Sequence, residues 1–401
     1  MRRTLLFALT LLLAVPAEAL ILDSGDGQGN TSPPADDPGW AHVGRVTGPT
    51  GIYLGNGWML TANHVVVSDP EIEGVVYPVV PGSVVQLQNP VVPPAPPTLA
   101  DLKVFRIDPS PSLPLLRIRS TTPPNNKNVT FISIGLSRGA ATSWMGIGGY
   151  LWGSLGGKRW GTNKVAGPAD IGTLTFTTDF TQIGGGTSTT NEATGADGDS
   201  GGAVFAKNTQ GVWELAGVMI AVGTFQTPTE DQPPGTSLYG NLTYAADLAQ
   251  YRAQLIALTR PQCANEVDDD GDSLSDWPAD PGCDSELDDS ELPDQDQDGV
   301  DDPFDDCLID PNPDQRDTNQ DGYGNLCDAD FDDDGVVGGI DFGVFKSAFG
   351  SWLGQLAYDL DVDLDGDGVV GGLDFGLFRR QFGLPPGPSG LACAGTTTPC
   401  P

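Results

Sequence analysis

The sequence predicts a mostly β domain followed by an acidic, loop-rich tail. Of the 401 residues, those up to position 260 carry 19 acidic and 15 basic side chains, whereas residues 261–401 carry 35 acidic and 4 basic ones. All six cysteines lie in the second region. Short β-branched or alternating runs separated by Gly, Pro and Asn fill the first region, which is typical of a β-barrel or sandwich. The carboxylates of the tail repel one another unless cations hold them together.

Length and charge already limit the functions open to the protein. A chain of 401 residues is long enough for about two to four domains and at least one sizeable core. Its formal net charge of −35 leaves nothing to neutralise a phosphate backbone. General nucleic-acid binding is therefore excluded.

The N-terminus predicts export from the cell. Arg2 and Arg3 precede an apolar run at 5–15, and Ala-Glu-Ala at 17–19 fits a small-x-small cleavage site, so residues 1–19 are expected to be a secretory signal peptide. An uncleaved anchor is the alternative, although the apolar run is short for a membrane span. No later segment has some twenty uninterrupted apolar residues, and no membrane span is predicted. The protein is expected to be secreted, either free or attached to a cell surface.

Residues 20–38 are polar and rich in Gly, Pro and Asp, and are predicted to be a linker. The domain at 39–260 contains the strand-like runs. A helix is predicted over 244–258, where Leu248, Tyr251, Leu255 and Leu258 recur at helical spacing. The predicted strands are 75–80, 84–87, 103–107, 129–134, 173–178 and 212–222.

Three segments of this domain carry a candidate catalytic set in the order His, Asp, Ser. His64 lies in Thr-Ala-Asn-His (61–64), Asp101 opens an alternating run, and Ser200 lies in Gly-Asp-Ser-Gly-Gly (198–202). A serine hydroxyl becomes a nucleophile at neutral pH when an imidazole takes its proton and a carboxylate orients that imidazole. The three segments resemble the trypsin/chymotrypsin-like serine proteases, and the resemblance extends over residues 39–260.

This resemblance implies a fold and a role for each residue. The fold would be two antiparallel six-stranded β-barrels with the site between them, followed by a C-terminal helix. Ser200 would be the nucleophile, His64 the general base and Asp101 its orienting carboxylate, with Asp69 or Asp108 as alternatives to Asp101. The backbone N–H groups of Gly198 and Ser200 would form the oxyanion hole.

The sequence departs from the family pattern at several positions. Thr194 stands where the floor of the specificity pocket is expected, so a preference for Arg or Lys side chains is doubtful. Ile220 replaces a serine that supports the carboxylate, and Val222 is a further candidate for the pocket wall. The usual activation sequence is absent. Signal cleavage would leave Leu20 as the N-terminal residue, whose amine is a candidate partner for Asp199.

The cysteines of the tail favour local disulfides. Six cysteines allow 15 connectivities, and zinc binding is an alternative that no CxxC motif supports. Sequence spacing favours Cys263 with Cys283, Cys307 with Cys327, and Cys393 with Cys400. The segment 261–292 is then a cysteine-bounded acidic loop with Asp268, Asp270 and Asp272 as candidate calcium ligands, since alternating Asp closed by Gly wraps oxygens around that ion.

Two further acidic segments resemble known calcium modules. Residues 293–329 resemble thrombospondin type 3 repeats, in which calcium replaces an apolar core. Residues 330–384 contain two loops 33 positions apart and resemble a dockerin-type, EF-hand-like pair with short helices. The candidate ligands are Asp294, Asp296, Asp298, Asp317, Asn319 and Asp321 in the first module, and Asp330, Asp332, Asp334, Val336, Asp341, Asp363, Asp365, Asp367, Val369 and Asp374 in the second.

The partner of the tail is left open by the sequence. A dockerin would bind a cohesin-like protein, whereas a calcium-stiffened spacer or a cell-surface attachment module explains the same pattern. A disordered acidic tail is the remaining alternative, and the regular Asp spacing disfavours it. Residues 385–401 form a terminal stretch rich in Pro, Gly and Thr.

Together these features predict a secreted serine endopeptidase that acts on protein or peptide substrates. It would need no cofactor for catalysis and would bind several calcium ions in the tail only. The alternative is a catalytically inactive protease-like domain in a calcium-dependent surface or adhesion protein.

Overall fold

The computed structural model describes residues 19–90, 96–396 and 400. The chain divides into two compact units, and the division falls between Arg260 and Pro261. Apart from Ala19, the predicted signal peptide lies outside the described residues. The described part of the chain is mostly β, with three α-helices and three disulfides.

The first unit contains sixteen strands and one helix among its described residues. The strands are β1 Ile21–Leu22, β2 Val43–Arg45, β3 Thr50–Gly55, β4 Trp58–Thr61, β5 Glu71–Ile72, β6 Val75–Val76, β7 Val85–Gln88, β8 Leu99–Arg106, β9 Asn128–Trp144, β10 Ile147–Asp170, β11 Leu174–Asp179, β12 Ala193–Thr194, β13 Ala203–Lys207, β14 Trp213–Gly223, β15 Thr236–Leu238 and β16 Leu242–Asp247. The helix α1 spans Leu248–Thr259, and one 3-10 turn spans Trp40–His42.

Most strands belong to two antiparallel sheets. One runs in the order β6-β5-β2-β3-β4-β8-β7, and the other in the order β11-β16-β14-β13-β9-β10-β15. In the second sheet β10 also pairs with β11, which closes a ring of six strands with β15 added outside it. No pairing closes the first sheet within the described ranges. The predicted pair of six-stranded barrels is therefore not confirmed, although the mostly β fold is.

An apolar core joins the two sheets. Its buried members come from both, with Ile52 and Val104 from the first sheet and Phe205 and Val218 from the second. Tyr251 and Leu255 of α1 belong to the same core. The two sheets are thereby held at a fixed spacing, because well-packed side chains resist displacement.

The helix predicted over 244–258 begins four residues later than expected. Residues Leu242–Asp247 instead form β16, which lies between β11 and β14. Asp247 ends the strand and caps α1, since its carboxylate accepts the N–H of Ala249. Pairing on both edges therefore outweighs the helical spacing at Tyr244.

The predicted linker at 20–38 is also incorrect at its start. Leu20, Ile21 and Leu22 are fully buried, and β1 pairs with β12. The N–H of Ala19 also donates to the carbonyl of Gly157. Three consecutive apolar residues thus add a short strand to the first unit, which the polar composition of the segment concealed.

The second unit has a sparse apolar core and many acidic loops. The predicted disulfides Cys263–Cys283, Cys307–Cys327 and Cys393–Cys400 all form. Two helices, α2 Gly339–Ala348 and α3 Gly372–Gln381, start 33 residues apart, as the internal repeat predicts. Phe345 and Phe378 from these helices pack together in a small buried cluster. Short 3-10 turns span Gln262–Ala264 and Asp302–Phe304.

Among the described residues, no helix has both the length and the apolar character needed to cross a bilayer.

Candidate active site

Three local elements bring His64, Asp101 and Ser200 together. His64 lies in the turn after β4, and Asp101 lies within β8, which pairs with β4. Ser200 lies in the turn between β12 and β13. The Ser200 carbonyl accepts the N–H of Thr50 in β3, so the serine turn is tied to the sheet that carries the other two residues.

A continuous chain of hydrogen bonds connects the three side chains. The distance from His64 Nδ1 to Asp101 Oδ2 is 2.7 Å, and that from His64 Nε2 to Ser200 Oγ is 2.8 Å. The backbone N–H of His64 also donates to Asp101 Oδ1 at 3.0 Å. This geometry selects the tautomer with the proton on Nδ1, which leaves Nε2 free to accept a proton from the serine hydroxyl. Neither Asp69 nor Asp108 takes the place of Asp101.

The charges around His64 favour its protonated form. The hydrogen bond to Asp101 raises the pKa of His64 above its ordinary value, although partial burial opposes the rise. Lys103 lies on the same strand as Asp101, and its Nζ donates to the carbonyl of Asn63 at 2.9 Å. This bond holds the residue that precedes His64. Burial lowers the pKa of Lys103.

The other histidine has a structural position. His42 is buried, its Nε2 lies 3.0 Å from the carbonyl oxygen of Pro114, and burial lowers its pKa to about 4. It takes no part in the hydrogen bonds around Ser200.

The glycines beside Ser200 are required by close backbone contacts. A Cβ atom at Gly201 would lie 1.9 Å from the Thr50 carbonyl oxygen, and the φ of Gly201 is +84°. Gly198 has a φ of +83° and turns the chain just before the serine. Within the described part of the chain, the backbone N–H groups of Gly198 and Ser200 donate to no protein acceptor. These donors remain available to a bound oxyanion.

A cavity of about 380 Å³ opens beside Ser200. Of the residues predicted for the specificity pocket, Ile220 and Val222 line it. Thr194 does not line it: this side chain is buried behind the wall and forms a 2.9 Å hydrogen bond with Thr243, which does. The lining residues are His64, Trp152, Gly195, Ala196, Asp197, Asp199, Ser200, Met219, Ile220, Ala221, Val222 and Thr243.

Several lining residues carry no recognisable motif in the sequence. Trp152 reaches the cavity from β10, where irregular pairing with β9 shifts the register around it. Thr243 arrives from β16, whose last four residues were predicted to be the start of a helix. Asp197 is an exposed carboxylate in the same turn as Ser200. For these residues the sequence offered one signal, the position of Asp197 three residues before Ser200.

Asp199 is a fully buried carboxylate directly before Ser200. Its Oδ2 accepts the N–H of Ala196 at 2.8 Å, whereas its Oδ1 has no hydrogen-bond partner of normal geometry among the described residues. Burial raises the pKa of Asp199 to about 7, and the Ala196 N–H, the Ser133 hydroxyl, the Leu20 N–H and the Arg159 guanidinium oppose that rise. A cationic group at the position of the Leu20 nitrogen would therefore be strongly attracted to this carboxylate.

Two sets of contacts hold the segment that carries Leu20 in place. Besides the β1–β12 pairing, Asp23 Oδ1 accepts the hydroxyls of Tyr150 at 2.7 Å and Tyr239 at 2.6 Å. Its Oδ2 accepts the N–H of Ile183. These bonds hold Leu20 next to Asp199.

The acidic tail brings several of its predicted calcium ligands together. Carboxylate oxygens of Asp294, Asp296 and Asp298 lie within 4.8 Å of one another, and so do those of Asp330, Asp332 and Asp334. One oxygen of Asp296 is buried without a partner. Sets made only of oxygen ligands suit calcium, so these residues fit the ion that the sequence predicts.

The two repeat loops, 330–341 and 363–374, hold the carboxylate at their twelfth position alike. Asp341 and Asp374 are 1% exposed, and each accepts the N–H of a glycine three residues earlier at 2.6 Å. Asp330 and Asp363, at position 1 of each loop, are also buried. Val336 and Val369, at position 7, have exposed side chains. In the acidic loop at 317–321, Asp317, Asn319 and Asp321 all accept backbone N–H groups.

No protein-family model matches this sequence, and no curated protein matches it. Among solved structures, the chain is similar to the Rv3671c protease of M. tuberculosis in its inactive form, with 14% identity over 55% of this chain and 90% of that one, and a TM-score of 0.31. It is similar to a serine endoprotease from Yersinia pestis, with 18% identity over 58% and 72% of the two chains and a TM-score of 0.31. For the NS6 protease from murine norovirus 1 the identity is 16%, the shares are 54% and 93%, and the TM-score is 0.28. At these TM-scores the similarity carries no weight for function, which has to be inferred from the site itself.

Proposed function

We propose that the first unit is a serine endopeptidase. The observation that carries this proposal is the hydrogen-bonded chain from Asp101 through His64 to Ser200 Oγ at the edge of an open cavity. Two unpaired N–H groups in the same turn supply the donors that acyl transfer requires. The disulfides of the second unit are typical of oxidising compartments, which agrees with a secreted enzyme.

The geometry supports a two-step hydrolysis. Nε2 of His64 takes the proton of Ser200 as Oγ attacks the peptide carbonyl, and Asp101 stabilises the resulting imidazolium. The N–H groups of Gly198 and Ser200 bind the oxyanion that forms. His64 then gives its proton to the leaving amine, which leaves an acyl-enzyme. In the second step His64 deprotonates a water molecule that releases the acid and frees Ser200.

The cavity favours uncharged side chains of the substrate. Met219, Ile220 and Val222 give it apolar walls, and its neutral hydroxyl comes from Thr243. Of the two carboxylates that line the cavity, Asp197 is exposed and Asp199 is proposed to pair with the Leu20 amine, so neither offers a buried partner to a basic side chain, and burial of an unpaired cation is unfavourable. We expect cleavage after apolar residues of moderate size.

The second unit is proposed to be a calcium-binding stalk or docking module, with a cohesin-like or cell-surface partner. Its support is the grouping of oxygen ligands in the loops at 294–298 and 330–334 and the matching helices of the repeat pair.

Labelling by a fluorophosphonate probe tests the enzymatic proposal directly. The mature secreted protein should be labelled, and Ser200→Ala should not. Ser143→Ala is the matched control, because Ser143 is an exposed serine on β9. Labelling with and without calcium shows whether the tail supports the first unit. Absence of labelling in mature, calcium-loaded protein would contradict an active enzyme.

One observation favours the alternative of an inactive, peptide-binding domain. Ile220 supplies no hydroxyl to Asp101, and among the described residues both carboxylate oxygens of Asp101 bond to His64 alone. A missing supporting bond lowers the precision with which the carboxylate holds the imidazole. The same labelling experiment distinguishes this alternative from an enzyme.

The pH profile of the enzyme is expected to follow His64. Only neutral imidazole accepts the serine proton, and the hydrogen bond to Asp101 raises the pKa of His64. Hence kcat/KM should fall as the pH drops through a value above the ordinary one of about 6.5. Asp101→Asn removes the main cause of the rise, so it should move this acidic limb to lower pH while kcat falls by about 10⁴-fold. An unchanged limb in that variant would show that a different group controls the profile.

Signal cleavage is proposed to supply Asp199 with an ammonium group, in addition to the nearby Arg159 guanidinium. Cleavage after Ala19 would convert the Leu20 N–H into an ammonium group beside the buried carboxylate. Retaining Ala19 at the N-terminus should lower kcat/KM by about 100-fold or more, because a buried carboxylate without its partner costs about 3–5 kcal/mol. N-terminal sequencing of the secreted protein identifies the cleavage point.

Leu20→Ile is the control for this prediction, since it keeps the amine and a similar apolar volume. It should stay within a few-fold of the natural enzyme. Equal activity of the chain with and without Ala19 would contradict the proposed role of the amine.

A further inference from the structure

The segment 261–292 contains two buried carboxylates that the calcium motif of the sequence does not include. They are Asp280, 2% exposed, and Glu291, 1% exposed. Carboxylate oxygens of Asp270, Asp272 and Asp280 lie within 4.8 Å of one another. Those of Asp268, Asp270 and Glu291 form a second such group, and Asp280 and Glu291 are equally close to each other. Five carboxylates therefore converge on one region.

Asp280 has an unused oxygen in this cluster. Its Oδ1 accepts the N–H of Gly282 at 2.7 Å, but its buried Oδ2 has no hydrogen-bond partner. A buried carboxylate oxygen without a donor costs free energy unless a ligand binds it. Cys283 lies next to Asp280 and Glu291, and its sulfur is fixed in the disulfide with Cys263. Thiolate ligands are therefore excluded at this position, and only oxygens remain.

No protein cation within the segment offsets these charges. Residues 261–292 contain twelve acidic side chains and no Lys, Arg or His. Burial of two like charges close together, as in Asp280 and Glu291, is strongly unfavourable without a counter-ion. The backbone already orients Glu291, whose two oxygens accept the N–H groups of Asp269 and Asp276. Each of these oxygens keeps a lone pair for a ligand.

We propose that Asp268, Asp270, Asp272, Asp280 and Glu291 bind one calcium ion. Five carboxylates match the high coordination number and loose geometry of calcium better than the strict octahedron of magnesium. The ion joins the loop closed by the Cys263–Cys283 disulfide to the residues that follow it, since Glu291 lies beyond that loop. This inference rests on the proposed calcium binding of the tail, and it assigns a site outside the two modules at 293–329 and 330–384.

The test compares variants of the full mature chain by isothermal titration with calcium, after chelator treatment. Asp280→Asn should bind one calcium ion fewer, or bind one ion at least about tenfold more weakly. The matched controls are Glu286→Gln and Asp289→Asn, which remove a negative charge at exposed positions of the same segment. Both controls should keep the full stoichiometry. A stoichiometry and affinity for Asp280→Asn equal to those of the controls would overturn the site.

Terbium luminescence separates this site from the repeat pair. Trp277 lies three residues before Asp280, whereas Trp352 forms a β-bridge with Val369 of the second repeat loop. Terbium emission sensitised by Trp277 should be lost in both Asp280→Asn and Trp277→Phe. Emission sensitised by Trp352, which is lost in Trp352→Phe, should remain in Asp280→Asn. Emission that depends on Trp352 but not on Trp277 would overturn this site alone. Absence of any terbium emission from the natural chain would contradict calcium binding by the whole tail.

The melting temperature distinguishes a carboxylate that binds calcium from one that has a structural role only. In EDTA, Asp280→Asn should raise the melting temperature of the tail, because it relieves repulsion among the five carboxylates. In calcium it should lower that temperature, because a ligand is lost. Mass spectrometry of the Cys263–Cys283 disulfide checks that the variant has folded. The same direction of change in EDTA and in calcium would overturn the proposal.

Discussion

Replacing Ser200 with alanine is expected to reduce kcat for peptide hydrolysis by about 10⁶-fold, and replacing His64 by a similar factor. The two residues share one proton through the 2.8 Å contact between Nε2 and Oγ. Because neither acts without the other, the double variant should be no slower than either single one. Steady-state kinetics on an apolar peptide substrate measure these rates.

The residual rate should come from substrate binding and from the N–H donors of Gly198 and Ser200. His42→Ala serves as a check on histidine loss in general, because His42 lies away from Ser200 and bonds to Pro114. It should affect melting temperature more than kcat/KM. Multiplicative losses in the Ser200/His64 double variant would contradict a shared proton transfer.

Removal of calcium is expected to expand the second unit and to abolish the helices α2 and α3. These helices bury few apolar side chains, and each begins at a loop that contains buried carboxylates such as Asp330 and Asp363. Without the ion these charges repel one another at close range. A chain as long as residues 261–401 has a radius of gyration of about 14 Å when compact and about 39 Å when unfolded. The disulfides keep the expanded form below the upper value.

Circular dichroism and small-angle scattering, in calcium and then in EDTA, measure this transition. The paired variant Asp330→Asn and Asp363→Asn should resemble the EDTA state even in calcium, whereas Asp359→Asn, at an exposed position outside the loops, should not. Restored calcium should restore the compact form. Identical spectra and radii with and without calcium would show that the ion has no structural role.

The sequence was most informative where the structure of the site requires a short motif of fixed residues. The Gly-Asp-Ser-Gly-Gly segment at 198–202 is constrained by contacts such as the one between Gly201 and the Thr50 carbonyl, which admits no side chain. The strings around His64 and Ser200 therefore identified residues that the structure does bring together. The sequence repeat at 330–384 was equally informative, because α2 and α3 keep its 33-residue period.

The sequence was least informative where long-range pairing decides the structure. The cavity wall depends on how β16 lies between β11 and β14, and this pairing places Thr243 at the cavity with Thr194 behind it. The family resemblance named the Leu20 amine as a candidate partner for Asp199, but the contacts that bring the two close, the β1–β12 pairing and the hydrogen bonds of Asp23, join segments that are far apart in the chain. Asp280 and Glu291 lie outside the alternating motif that marks Asp268 and Asp270. No local pattern predicts such distant pairs.

All three disulfides form within the second unit, and the first unit contains no cysteine at all. A reductant therefore breaks no covalent bond in the unit that carries Ser200, while it opens every cross-linked loop of the tail. Treatment with a reductant therefore alters the covalent structure of the second unit alone, without a change in sequence. The first unit can also be produced in a reducing cytoplasm without mispaired cysteines, whereas the full chain requires an oxidising route to reach its native cross-links.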